Sequence, residues 1–256
     1  MVKISLIITC YNNKDLLSSL LPIWTNYSTV CDELIIVDDC SSDGTFQEIK
    51  TYFAEHDNIT LLELNVNSGR PSMPRNKGIS AARNRRVVFC DADDVIPLSY
   101  FKFIGSLSYN DSNIYSLGRL NTQELLPDWN GVVGEKYKFI KIPKKVLKFK
   151  NVICFSGSSV TLETAQKYRF ENTYFEDWIF WKEISEMEDV HFFRSTNASI
   201  LYYSKITLSP KKTEQFKRVI KHAGVLSLPF YVILSLALIV AEKINRVSQS
   251  KKLNRV

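Results

Sequence analysis

Four short hydrophobic runs, Ile4–Thr9, Glu33–Val37, Ile59–Leu64 and Val87–Cys90, punctuate the first hundred residues, with helix-like stretches at Lys14–Trp24, Thr45–Glu55 and Arg75–Arg83 between them. The runs are rich in β-branched residues and lack strict alternation, which marks strands covered on both faces. Helices between such strands form right-handed crossovers, so the spacing predicts a doubly wound α/β sheet, mostly parallel and flanked by helices. Ligands bind such sheets beyond the carboxyl ends of the strands. Attention therefore falls on Thr9–Asn12, Asp38–Asp43 and Asp91–Asp94, three unusually polar stretches.

The chain has 256 residues, 45% of them hydrophobic and 23% charged, which supports a real core and excludes a disordered or fibrous protein. Five scattered cysteines without a C-x-x-C pair fit a reducing compartment better than a disulfide framework, and three distant histidines give no zinc spacing. The apolar run at the N-terminus is too short for a signal peptide and reads as a first strand.

Three regions follow from the pattern: 1–105, a less regular 106–204 and a basic 205–256. The middle region holds a run of seven lysines over Lys136–Lys150, a strand-like Val152–Ser156 and an aromatic, acidic Tyr174–Trp181. Of the formal charge of +6, the last region contributes 11 basic and two acidic residues, which leaves residues 1–204 mildly acidic. Ala223–Ala241 carries no charge at all. With Ser227 as cap and Pro229 in a first turn, a helix of about 15 residues would reach about 22 Å, short of a hydrocarbon span of about 30 Å. Basic flanks on both sides suit anionic lipid, so the tail reads as a monotopic or re-entrant anchor; a buried core helix is the alternative.

The chemistry-bearing residues stand at strand ends. In Val37-Asp38-Asp39-Cys40-Ser41-Ser42-Asp43-Gly44-Thr45, Asx turns and caps explain much, but not two adjacent carboxylates after a buried strand. A carboxylate there would accept the imide N–H of a uracil. In Cys90-Asp91-Ala92-Asp93-Asp94, extended chain points Asp91 and Asp93 to one side, and two hard oxygens suit Mg²⁺ or Mn²⁺. The competing reading is a cap for a helix starting near Pro97. Neither phosphate-binding glycine loop, G-x-x-x-x-G-K-[ST] or G-x-G-x-x-G, occurs.

These stretches, with Thr9-Cys10-Tyr11-Asn12 and the segment Asn67–Ile79 between them, resemble the inverting glycosyltransferases of family 2, with a GT-A fold. The match runs over Lys3 to Asp94 in order and spacing, with Pro74 where the commoner N-x-G-x-x-x-A-R-N-x-G has alanine. The resemblance implies that Thr9, Tyr11 and Asp39 hold uridine, and that Arg75 and Asn76 lie near the diphosphate or sugar. It further implies that Asp91 and Asp93 are the D-x-D pair, with Asp91 also on the nucleotide sugar and both on the metal. Glu176-Asp177-Trp178 matches the family's acidic pair followed by an aromatic, whose aspartate is the catalytic base. Aromatic neighbours would raise the pKa of Asp177 and a helix start would lower it. Without the upstream motifs, Glu176 and Asp177 would read as acids complementing a helix dipole.

The implied protein is a metal-dependent transferase moving a sugar from a UDP-sugar to a lipid-linked glycan acceptor by one in-line displacement, in surface polysaccharide assembly at the cytoplasmic face of a bacterial inner membrane. Residues 1–105 would bind the nucleotide sugar, 106–204 the acceptor and 205–256 the membrane. A non-catalytic nucleotide-sugar-binding protein is the alternative, against which all four carboxylates Asp39, Asp91, Asp93 and Asp177 stand. A nucleic-acid partner is not expected, because the positive charge lies outside the folded body.

Overall fold

A computed structural model describes residues 1–122 and 136–203. Strands β1 (Ile4–Cys10), β2 (Glu33–Asp38), β3 (Ile59–Glu63) and β4 (Arg86–Asp91) pair in parallel in the order β3-β2-β1-β4. Every residue of β1 and β2 is buried, as unalternating apolar runs require of strands covered on both faces. Consecutive side chains of β1 leave the sheet in opposite directions. Leu6 and Ile8 join a core with Leu20, Trp24 and Phe101, whereas Ile7 joins another with Ile35, Phe89 and Trp181.

Helices α1 (Leu17–Ser28), α2 (Thr45–Tyr52) and α3 (Ser72–Ala81) occupy the expected crossovers. A single 3-10 turn, Lys14–Leu16, leads into α1, which continues through Pro22. α3 starts three residues earlier than the sequence implies, because Pro74 falls in its first turn, where a missing N–H breaks no intrahelical bond.

The remaining elements are β5 (Asp94–Val95), α4 (Leu98–Gly105), β6 (Ile114–Thr122), β7 (Phe139–Ile142), α5 (Lys144–Leu147), β8 (Ser159–Thr161), α6 (Leu162–Lys167), α7 (Glu176–Ile184) and β9 (Phe192–Tyr203). The sheet continues β4-β8-β6-β9-β5, and β7 also pairs with β9. It is a mixed sheet here, correcting the mostly parallel expectation: β8 runs antiparallel to β4 and β6, and β5 and β7 run antiparallel to β9, while β6 and β9 are parallel. The reason is local. No crossover helix delivers the chain into β8; it arrives from a loop closed by Gly157 at φ +75°.

Val152–Ser156 is that loop rather than a strand. Its apolar side chains Ile153 and Phe155 fill the second core, so their hydrophobicity reflects packing and not a ladder. The lysine run spans β7 and α5. Lys144 donates to the Met187 carbonyl and Lys148 pairs with Glu186 at 3.5 Å across an exposed face. The described residues belong to one compact unit, Met1–Lys205. Among them no helix is long and apolar enough to cross a membrane, and the expected anchor at 205–256 lies outside them.

Helix α3 lies tightly against the sheet at Gly78. A Cβ built there would stand 2.5 Å from Cγ2 of Ile7, a buried β-branched side chain that cannot swing aside. Gly78→Ala therefore loses more to overpacking than it gains in helix propensity, and we expect a net loss of about 1–3 kcal/mol. Urea unfolding would read this as a lower midpoint at unchanged slope.

Candidate active site

At the carboxyl edge of the sheet, β1 and β2 are each followed two residues on by a residue in the left-handed region, Asn12 at φ +48° and Cys40 at φ +58°. The two turns brace each other. Asn12 donates its N–H to Ser41 Oγ at 2.8 Å and accepts the Ser42 N–H at 2.9 Å. Buried Asp38 accepts the N–H and the hydroxyl of Ser41 at 2.7 and 2.6 Å, so the turn reading describes this residue. Its neighbour Asp39 turns the other way. It accepts the backbone N–H and hydroxyl of Ser68, each at 2.9 Å, and the Asn67 amide at 3.2 Å, which fixes the Asn67–Gly69 loop beside it.

Two cavities open on this edge. The smaller, of about 350 Å³, is lined by Thr9, Tyr11, Asp39, Arg70 and Asp93 among others. The larger, of about 590 Å³, is lined by Asp94, Asn151, Glu176, Asp177, Arg119 and Arg194 among others. They share Pro71, Arg75 and Asp91.

Arg75 is the hinge between them. Its guanidinium donates to Asp91 Oδ1 at 2.9 Å and to Glu176 Oε1 at 2.8 Å, and lies 3.5 Å above the Phe155 ring. The side chain is only 4% exposed. Asn76, next on α3, lines neither cavity. Its amide donates to the Phe170 carbonyl at 2.8 Å and accepts the Phe170 N–H at 3.0 Å, tying α3 to the segment that leads into α7.

Asp91 and Asp93 both face the smaller cavity. Asp94 does not cap α4, whose N-cap position is Pro97 without a side-chain bond. It is buried in β5 and accepts the Ser156 hydroxyl. Burial, then the charge of Asp91 and of Asp93, push its carboxyl up to about 8. The Asp94 carboxyl therefore stays largely protonated near neutral pH, and Asp91 and Asp93 are the hard-oxygen donors on the cavity. Among the described residues no set of three or more side chains is arranged to enclose a metal. Two protein oxygens completed by water and substrate phosphate are what Mg²⁺ or Mn²⁺ takes, so the donor set fits the expected ion.

Phe175, at φ +62°, turns the chain into α7 and aims its first residues at the larger cavity. Asp177 Oδ2 accepts the Asn151 amide at 2.7 Å, and Oδ1 accepts the Trp178 N–H at 2.8 Å. Burial outweighs Arg75, the helix N–H and Asn151, and its pKa is raised. Burial likewise raises Glu176 against the pull of Arg75. The Trp178 indole donates to the Leu147 carbonyl at 2.6 Å, while Phe180 and Trp181 are fully buried in the second core. The sequence thus pointed to Thr9, Tyr11, Asp39, Arg75, Asp91, Asp93 and Asp177, which all line the two cavities. It gave no binding role to Arg70 or Asp94, although both lie inside the quoted motifs, and it did not single out Asn151, Arg119 or Arg194, which belong to no contiguous motif.

An α/β sheet with this cleft at its carboxyl edge defines a GT-A-like fold. The chain belongs to glycosyl transferase family 2, whose model matches residues 5–168. It is 31% identical over 160 residues to the poly(ribitol-phosphate) beta-glucosyltransferase of Bacillus spizizenii, an alignment covering 57% of this chain and 25% of the relative. The crystal structure of Staphylococcus aureus TarS 1–349 in complex with UDP-GlcNAc superimposes with a TM-score of 0.61 at 19% identity, over 80% of this chain and 59% of that one. A mannosyltransferase from Pyrobaculum calidifontis in complex with GDP-Man and Mn²⁺ gives 0.59 at 16%, over 81% and 58%. The chain thus spans about a quarter of the first relative's length, and the structural likenesses bear on the fold.

Removing the Arg75 cation would leave Glu176, whose side chain is 14% exposed, and Asp91, at 34%, without their partner. Uncompensated buried charge costs about 3–5 kcal/mol, less where water reaches it. Arg75→Met should therefore destabilise the protein by about 2–4 kcal/mol in urea unfolding. A loss below about 0.5 kcal/mol would show the bridge to be dispensable.

Proposed function

We propose that the chain is a metal-dependent inverting glycosyltransferase that moves a sugar from a UDP-sugar to a glycan acceptor by a single in-line displacement. The observation that carries this reading is the pair of cavities joined at Arg75 and Asp91, one facing Asp39 and the D-x-D pair, the other facing Asp177. The relatives named as transferases for poly(ribitol-phosphate), and the UDP-GlcNAc complex of TarS, support a nucleotide-sugar donor and a surface-polymer setting.

In this mechanism Thr9, Tyr11 and Asp39 receive the nucleoside in the smaller cavity. Asp91 and Asp93 hold the divalent ion, which supplies charge stabilisation to the departing diphosphate. Asp177 takes the acceptor's hydroxyl proton as that oxygen bonds to the anomeric carbon and the carbon–diphosphate bond breaks. Its raised pKa makes it a stronger base than an ordinary aspartate, and Asn151 together with the Trp178 N–H holds both oxygens in place. Arg75 sets the spacing between the metal-side carboxylate and the α7 acids. Asn76 acts one step back, through Phe170.

The decisive experiment is nucleotide release from a panel of UDP-sugars with Mn²⁺ and with chelator. Asp177→Asn should keep thermal protection by the donor and lose about 10²- to 10⁴-fold in transfer. Full turnover in this variant would overturn the base assignment, and equal wild-type turnover in chelator would remove the metal.

The basic, uncharged-centred segment at 205–256 supports membrane association at the cytoplasmic face and, with it, a lipid-linked acceptor confined to the same surface. A variant lacking residues 205–256 should leave the membrane fraction. Its retention there would sink the anchor.

A further inference from the structure

The smaller cavity holds an arginine without a carboxylate partner. Its lining carries three carboxylates, Asp39, Asp91 and Asp93, and two cations, Arg70 and Arg75. Arg75 is engaged by Asp91 at 2.9 Å and by Glu176 at 2.8 Å. Arg70 is different. Among the described residues its guanidinium forms no ion pair and no hydrogen bond. It lies 3.6 Å above the ring of Tyr174, a residue 38% exposed that immediately precedes the turn of Phe175 into α7.

Both ends of this arginine are fixed. At its main chain, Asp39 accepts the Ser68 N–H at 2.9 Å and the Asn67 amide at 3.2 Å, and Asn67 Oδ1 accepts the Gly69 N–H at 2.9 Å. Pro71, the next residue, is the N-cap of α3. At the side chain, a guanidinium lying flat on a ring uses its face and keeps its in-plane N–H donors for another partner. The stack therefore orders the fork and leaves its charge unspent.

A diphosphate entering this cavity needs such a charge. Neither phosphate-binding glycine loop is present to supply backbone donors. A divalent ion held by Asp91 and Asp93 is matched in charge by those two carboxylates, and Arg75 is already shared between two acids. The remaining cation of the lining is Arg70.

We propose that Arg70 is a further donor-binding residue, its fork donating to the diphosphate of the nucleotide sugar, and that Tyr174 is the positioning residue that holds it ready. This deepens the transferase reading above and rests on it. As the carbon–diphosphate bond breaks, its electron pair passes to the diphosphate, and a pre-ordered cation on those oxygens stabilises the charge that gathers there. Because Tyr174 belongs to the segment entering α7, the same stack ties the loop on Asp39 to the helix that carries Asp177.

The test is titration calorimetry of the full chain with UDP in Mn²⁺, together with displacement of UDP by uridine, which has the base and ribose without phosphate. Arg70→Gln should weaken UDP about 10- to 100-fold, less at high salt, with the uridine inhibition constant unchanged. The donor kcat/KM should fall at least as far. Tyr174→Leu should lose about 2- to 5-fold in UDP affinity and Tyr174→Phe none, because the ring face is what holds the guanidinium. Both side chains stand partly in solvent, so these variants keep the fold. Unchanged UDP affinity in Arg70→Gln, or an equal loss for uridine, overturns the assignment of Arg70. Unchanged affinity in Tyr174→Leu removes the positioning role of the ring. A wild-type chain that binds neither UDP nor any UDP-sugar would instead remove the transferase reading, and this inference with it.

Discussion

One guanidinium holds the cleft together. Arg75 comes from α3, Asp91 from the end of β4 and Glu176 from the start of α7, three elements that no backbone ladder joins at this point. Only a planar fork reaches two carboxylates at 2.8–2.9 Å while lying flat on Phe155; an ammonium group is a point charge with neither property. The arrangement also explains why burying the cation is tolerable. Its two acids compensate it, the ring supplies a polarisable face, and only Nε is left without a partner. Because Asp91 and Arg75 line both cavities, the spacing between the two halves of the cleft is set by these bonds.

Around that bridge, strain and turn chemistry collect at the carboxyl edge. Asn12, Cys40 and Phe175 are the non-glycine residues with positive φ among those described, and each stands where a strand ends at the cleft or a helix enters it. Such conformations persist when surrounding bonds over-determine them. Asn12 and the Cys40 turn satisfy this directly, since their loops exchange hydrogen bonds through Ser41 and Ser42. The adjacent aspartates divide the work. Asp38 closes the turn, so that Asp39 can hold the Asn67–Gly69 loop and still face the cavity.

The parallel half of the fold was legible in the sequence because its determinants are local: unalternating apolar runs specify covered strands, and polar stretches after them mark the ligand edge. Asp39, Asp91 and Asp93 could be placed at that edge for the same reason. The mixed half was not, since β8 is three residues long and the apolar run just before it, Val152–Ser156, serves packing. Asn76 shows the limit of reading a motif residue by residue. One helical position after Arg75, it points a different way and clasps Phe170. Asn151 was invisible because its meaning comes from Asp177, 26 positions away in the chain and 2.7 Å away in space.

The same distinction separates net charge from charge placement. Residues 1–204 are mildly acidic overall. The acids of the cleft are held by Arg75, Asn151 and Ser156, of which only Arg75 offsets charge. Arg119 and Arg194, which line the larger cavity, stand on the neighbouring parallel strands β6 and β9. Which charges meet in the cleft is fixed by which strands the mixed half of the sheet brings side by side.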